Sequence, residues 1–127
     1  MRNVLVSLQN GVAMRVLFMA FRDDANRQVY LDQLASLGGV EVIDAGWSVV
    51  EISLFVRPID LVVVAACAQS LHSSLRRSYK GPIVFVSSDP AYLALFKDRP
   101  GCETTSPAKL LDVVKQVLAA KATKHDR

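Results

Sequence analysis

The run Leu61–Ala66 (LVVVAA) constrains this chain more than any other stretch. It is apolar at every position, rich in β-branched valine, and shows no alternation of polar and apolar residues. A strand with one wet face alternates, so a strand of this kind belongs at the centre of a sheet covered on both sides. Such sheets are typically parallel, because the crossovers that join parallel strands lay helices on both faces. The longest apolar stretches, Leu61–Ala68 and Val16–Phe21, fall far short of the roughly 20 residues that span a bilayer. No membrane insertion is expected from them.

The rest of the chain supplies the helices and the remaining strands. Val16–Phe21 (VLFMAF) reads as a first buried strand, followed by Tyr30, Leu34 and Leu37 at helical spacing and by Gly38-Gly39 as a stop. Val40–Ala45 (VEVIDA) is a second strand, and Val49, Ile52 and Val56 mark one face of a second helix that Pro58 ends. After the third strand, Ser70–Tyr79 forms a short helix broken by Lys80-Gly81-Pro82. Ile83–Val86 is the fourth strand. Asp89-Pro90 then offers a cap with proline at the first helical position, opening a helix through Lys97. Cys102–Thr105 makes a fifth strand, and Leu111, Val114 and Leu118 line a last helix starting near Pro107. Strands alternating with helices in this way are βα units with right-handed crossovers. They predict an α/β fold, a three-layer α-β-α sandwich around a five-stranded parallel sheet.

The 127 residues suffice for one such domain, expected over 14–121, after an N-terminal extension of residues 1–13 and before a frayed tail at 122–127. With 51% hydrophobic and 21% charged residues, the composition is that of a folding chain rather than a disordered one. Asn3, Gln9, Asn10 and Arg15 interrupt any hydrophobic run that an export signal would need, which favours a cytoplasmic location. The two cysteines, Cys67 and Cys102, lack CxxC spacing and a nearby histidine, and read as buried thiols rather than a zinc or redox pair. The net charge of +3 is a mild bias. Arg76, Arg77 and Lys80 and the lysines of the last helix lack interleaved aromatics, so they read as a solvated face rather than a nucleic-acid surface. Neither GxGxxG nor GxxxxGK[ST] occurs, and no cofactor is expected.

Open α/β sheets bind ligands outside the carboxyl ends of their strands, beside the point where strand order reverses. The residues delivered there are Asp23-Asp24 after the first strand, Ala65 and Ala66 ending the third, Ser87-Ser88 after the fourth, and Ser106-Pro107 after the fifth. In this order and layout, over about Met14 to Ala120, the chain resembles the receiver domain of bacterial response regulators, the CheY-like family. The resemblance implies a flavodoxin-like, doubly wound sheet of strand order 2-1-3-4-5. It also implies roles for the strand-end residues. An acidic pair holds Mg²⁺, an aspartate ending the third strand accepts phosphate, a hydroxyl after the fourth contacts the phosphoryl group, and a lysine before a cis proline closes the site. Carried onto this sequence these roles fall on Asp23 with Asp24 or Arg22, on Ala65, on Ser87 and on Ser106. Alanine has no nucleophile and serine no ammonium, so aspartyl phosphotransfer is excluded in that alignment. Glu103 stands where receivers place a switching aromatic.

Each of these residues also has a simpler role. Asp24 or Asp23 can cap the first helix, a contribution of roughly 0.5–2 kcal/mol. Ser87 or Ser88 can satisfy backbone groups at a strand end, and Ser106 can cap the last helix unless its bond to Pro107 is cis. His72 reads as a surface histidine, and Trp47 as packing at a helix start or as a partner anchor. The leading expectation is a non-catalytic, phosphorylation-independent signalling module that binds a protein partner or a second copy of itself. Its contact face would hold Tyr92, Leu95, Phe96 and Lys109, unless Leu95 and Phe96 lie against the sheet. The alternative is a small-molecule-binding or enzymatic domain using the strand-end crevice, where Ser87, Ser88, Thr104, Thr105 and Ser106 supply hydroxyls. No nucleophile, base and orienter can be named for it.

Overall fold

A computed structural model of the chain describes residues 14–20, 25–44, 59–65, 75–77 and 79–125. The strands are β1 Met14–Met19, β2 Val40–Asp44, β3 Leu61–Ala65, β4 Ile83–Val86 and β5 Cys102–Thr105. The helices are α1 Arg27–Ala35, α2 Pro90–Ala94 and α3 Leu110–His125, the last preceded by a 3-10 turn at Pro107–Lys109. All strand pairs are parallel and the order is β2-β1-β3-β4-β5, the doubly wound, flavodoxin-like arrangement. The second helix with Val49, Ile52 and Val56, the residues Trp47, Cys67 and His72, the pair Asp23-Asp24 and residues 1–13 lie outside the described residues.

Side-chain alternation along the three central strands divides the core into two layers. Val16, Phe18, Leu61, Val63, Ala65, Val84 and Val86 point to one face and pack with Tyr30 and Leu34 of α1 and with Leu110, Val114 and Leu118 of α3. Leu17, Met19, Val62, Val64, Ile83 and Phe85 point to the other, against Leu75, Tyr79 and Phe96. Every residue of β1, β3 and β4 is buried, as the unbroken apolar runs require, whereas the edge strand β2 keeps Glu41 and Asp44 exposed.

Several boundaries differ from the sequence expectation for physical reasons. β1 starts at Met14 because the Arg15 side chain, charged within an otherwise apolar strand, reaches Glu41 of β2 at 3.3 Å. The N-cap of α1 falls on Asn26, which makes no side-chain capping bond. α2 ends at Ala94 instead of Lys97, while Asp89 caps it as expected by accepting the Ala91 N–H at 3.0 Å. The tail expected to fray from Ala122 is helical through His125. Among the described residues no helix is long and apolar enough to cross a membrane.

At the amino ends of the strands the chain is fastened by polar contacts. The Arg15 N–H donates to Asp60 Oδ2 and the Asp60 N–H donates back to the Arg15 carbonyl, each at 2.8 Å. Arg76 donates to the carbonyls of Tyr79 (3.3 Å), Gly81 (2.6 Å) and Pro100 (3.2 Å), joining the segments that lead into β4 and β5. Buried carbonyls without a donor would each cost about 1–3 kcal/mol, so one guanidinium with five donors suits this corner.

Candidate functional site

Strand order reverses between β1 and β3, and the crevice above their carboxyl ends is where this architecture places ligands. The last β1–β3 pair is Met19 with Val64, so the next residues, Ala20 and Ala65, stand side by side at the crevice floor. They are 2% and 1% exposed and belong to the same apolar cluster as Phe18 and Tyr30. Ala65 in turn pairs with Val86 of β4. Sequence reading singles out Ala65 and passes over Ala20. The signal for Ala20 lies in the strand register, which only the fold supplies. Among the described residues the floor presents the methyl groups of Ala20 and Ala65, and neither side chain carries a carboxylate to attack an electrophile or to ligate a cation.

Two hydroxyls beside the floor, those of Ser87 and Thr105, are engaged locally. Ser87 Oγ accepts the Asp89 N–H at 3.0 Å, while the Ser87 N–H donates to the Thr105 carbonyl at 3.1 Å. Thr105 Oγ1 donates to the Ser106 carbonyl at 3.1 Å. Ser87 therefore closes the turn that leads into α2, the strand-end role that serine plays by competing for nearby backbone groups. Ser106 precedes the 3-10 turn with Pro107 at its start, yet its hydroxyl makes no capping bond. The cis Ser106–Pro107 bond that the receiver resemblance implies is corrected, since that bond is trans. Beside the crevice, Arg27 at the start of α1 forms an ion pair and hydrogen bond with Asp44 at the end of β2. Among the described residues no three His, Cys, Asp or Glu side chains gather as a metal set.

On the expected contact face the residues separate. Phe96 is fully buried and is corrected from a surface residue to a core one. The chain turns after Ala94, which swings Phe96 onto Phe85 with ring centroids 3.9 Å apart and planes 5° from parallel. Tyr92 meets Phe96 edge-on at 5.3 Å and is half-buried, and the Arg99 guanidinium covers the Phe96 ring at 5.6 Å. Leu95 is 45% exposed, and Lys109 is exposed at the end of the 3-10 turn. Of the four residues, Tyr92, Leu95 and Lys109 reach the surface, and Tyr92 rests on Phe96.

The geometry defines a doubly wound α/β domain with an apolar crevice floor. No protein-family model matches the chain, and neither a curated protein nor a solved structure matches it.

Proposed function

We propose that this chain is a pseudo-receiver, a cytoplasmic bacterial signalling module with the layout of a response-regulator receiver that transfers no phosphoryl group. It acts by binding a protein partner or a second copy of itself. The observation that carries this reading is Ala65, a buried methyl group at the end of the central strand in a 2-1-3-4-5 sheet. A methyl carbon cannot form the acyl phosphate on which a receiver depends, and Ala20 beside it supplies no metal ligand. A fold that keeps its core but lacks reactive groups at this point works through its surface. Leu95 and Tyr92, with Lys97 and Arg99 close in sequence, provide an apolar centre with charged residues beside it, and Lys109 is an exposed cation at the start of the last helix.

The test has two arms. Incubation with a small acyl phosphate and Mg²⁺ is expected to leave the intact mass unchanged, and stoichiometric phosphorylation of the unmodified protein would refute the proposal. Amide NMR during addition of Mg²⁺ and then beryllium fluoride is expected to leave Ala65 and Ser87 unmoved. Saturable shifts there would move the crevice ahead as a ligand site.

A further inference from the structure

At the opposite end of the sheet, where Pro82 leads into β4 and Gly101 into β5, a groove of about 520 Å³ opens beside Val117 and Lys121 of α3. That volume lies within the range of small-molecule sites. Two glycines in its lining, Gly81 and Gly101, are held by local constraint. A Cβ on Gly81 would sit 2.4 Å from the Tyr79 hydroxyl, and Gly101 has a φ of +72°. The charged side chains that line the groove are Lys80, Lys121 and Glu103.

The donors here are only partly used. Lys80 Nζ gives one proton to the Arg76 carbonyl at 2.7 Å, leaving two of an ammonium's three. Lys121 Nζ forms a long ion pair with Asp60 Oδ1 at 3.9 Å, too far for a hydrogen bond, while Asp60 Oδ2 accepts the Arg15 N–H. A lysine in the closing turns of a helix answers the helix dipole. The ion pair with Asp60 holds the Lys121 side chain at 24% exposure on the wall of the groove, where its ammonium protons make no hydrogen bond to the described residues. Glu103 supplies the complementary group, an exposed acceptor on the same groove. Arg76 adds positive charge nearby, its own donors already given to carbonyls.

We infer that this groove is a binding site for a small organic anion whose phosphate or carboxylate is taken by Lys121 and Lys80 and whose hydroxyl or amino donors are taken by Glu103. The site is separate from the strand-end crevice and does not depend on the pseudo-receiver reading. A bare anion would meet only the lysines and would be opposed by Glu103 and by Asp60 beside Lys121, so ligands carrying donors are preferred.

The test is amide NMR titration of the full chain with glycerol phosphate and, separately, inorganic phosphate. Saturable shifts at Gly81, Gly101 and Glu103 are expected, tighter for glycerol phosphate. Lys121→Gln is expected to weaken binding about tenfold, the loss of a charge-assisted hydrogen bond. Glu103→Gln is expected to weaken glycerol phosphate and tighten inorganic phosphate. The exposed Lys80→Gln serves as a second variant should Lys121→Gln disturb the fold. Absence of saturable shifts, shifts indifferent to both lysine variants, or a Glu103→Gln variant that binds glycerol phosphate more tightly would overturn the inference.

Discussion

Replacing Ala65 with aspartate puts a carboxylate among buried apolar side chains. The position is 1% exposed, in one apolar cluster with Phe18, Tyr30 and Val86. Desolvation of this kind raises a carboxyl pKa by about 2–3 units, and each unit is about 1.4 kcal/mol, giving a loss of about 3–4 kcal/mol at neutral pH. For a domain whose total stability is about 5–15 kcal/mol, that is a large fraction. The sign follows from linkage. The folded-state pKa lies above the unfolded value, so below about pH 4 both states are protonated and the charge costs nothing. As pH rises the unfolded chain ionises first, and stability falls until the folded-state pKa, about 6–7, is passed. Ala65→Asn has nearly the same shape without the charge, and its loss of about 1–3 kcal/mol is expected to be flat across this range. Urea denaturation of both variants at a series of pH values separates the two contributions. An aspartate variant as stable as the asparagine variant at neutral pH, with no pH dependence, would refute the closed methyl floor and show a carboxylate position open to solvent.

Other expectations concern the corner around Tyr79 and the proposed contact face. Gly81→Ala drives a Cβ into the Tyr79 ring and weakens the hydrogen bond from its hydroxyl to the Pro82 carbonyl (3.0 Å), with a loss of about 1–3 kcal/mol in a denaturant melt. Burial pushes the Tyr79 phenol well above its ordinary 10.0, with Asp60 acting in the same direction and Arg76 against it. Stability from this group is therefore intact below about pH 10 and declines above it, and Tyr79→Phe is expected to flatten that alkaline decline in a pH-dependent melt. Asp89→Ala removes the cap of α2 and is expected to cost about 1 kcal/mol, read from the melting temperature. Leu95→Glu is expected to change stability by less than about 0.5 kcal/mol while abolishing any concentration-dependent sedimentation; persistence of self-association would exclude this face as the dimer contact.

The central sheet was legible because its strands are fully covered. LVVVA and IVFV carry no polar residue to blur their limits, and β5, which is not an apolar run, falls directly after the break at Pro100-Gly101. Element ends governed by tertiary contacts were less so. Arg15 reads as an interruption until its partner Glu41 is brought alongside by β1–β2 pairing. Asp23 and Asp24 have the composition of caps, but the helix starts beyond them, after Asn26. Phe96 follows the helical period from Pro90 to the surface only if the helix continues, and the turn after Ala94 sends it inward instead. At the crevice the sequence shows that a carboxylate is missing at Ala65, yet the second alanine of the floor emerges only from the β1–β3 register. A search among polar residues does not find a site whose distinguishing property is the lack of them.

The placement of β3 also bears on how the chain avoids aggregation. Its valine-rich run is the kind of segment that assembles into cross-β stacks when left uncovered. In the native order it lies between β1 and β4, so both of its backbone edges are occupied by neighbours distant in sequence. The exposed edges are given instead to β2, with Glu41 and Asp44, and to the four-residue β5, with Glu103, where charge and shortness discourage edge-to-edge pairing. Protection of β3 therefore arrives only when long-range pairing is complete, and until then Asp60 at its amino end is the adjoining charge that opposes association. Asp60→Ala removes that charge together with the side-chain acceptor of the Arg15 N–H, exposing the newly made or heated chain to association through its most adhesive strand.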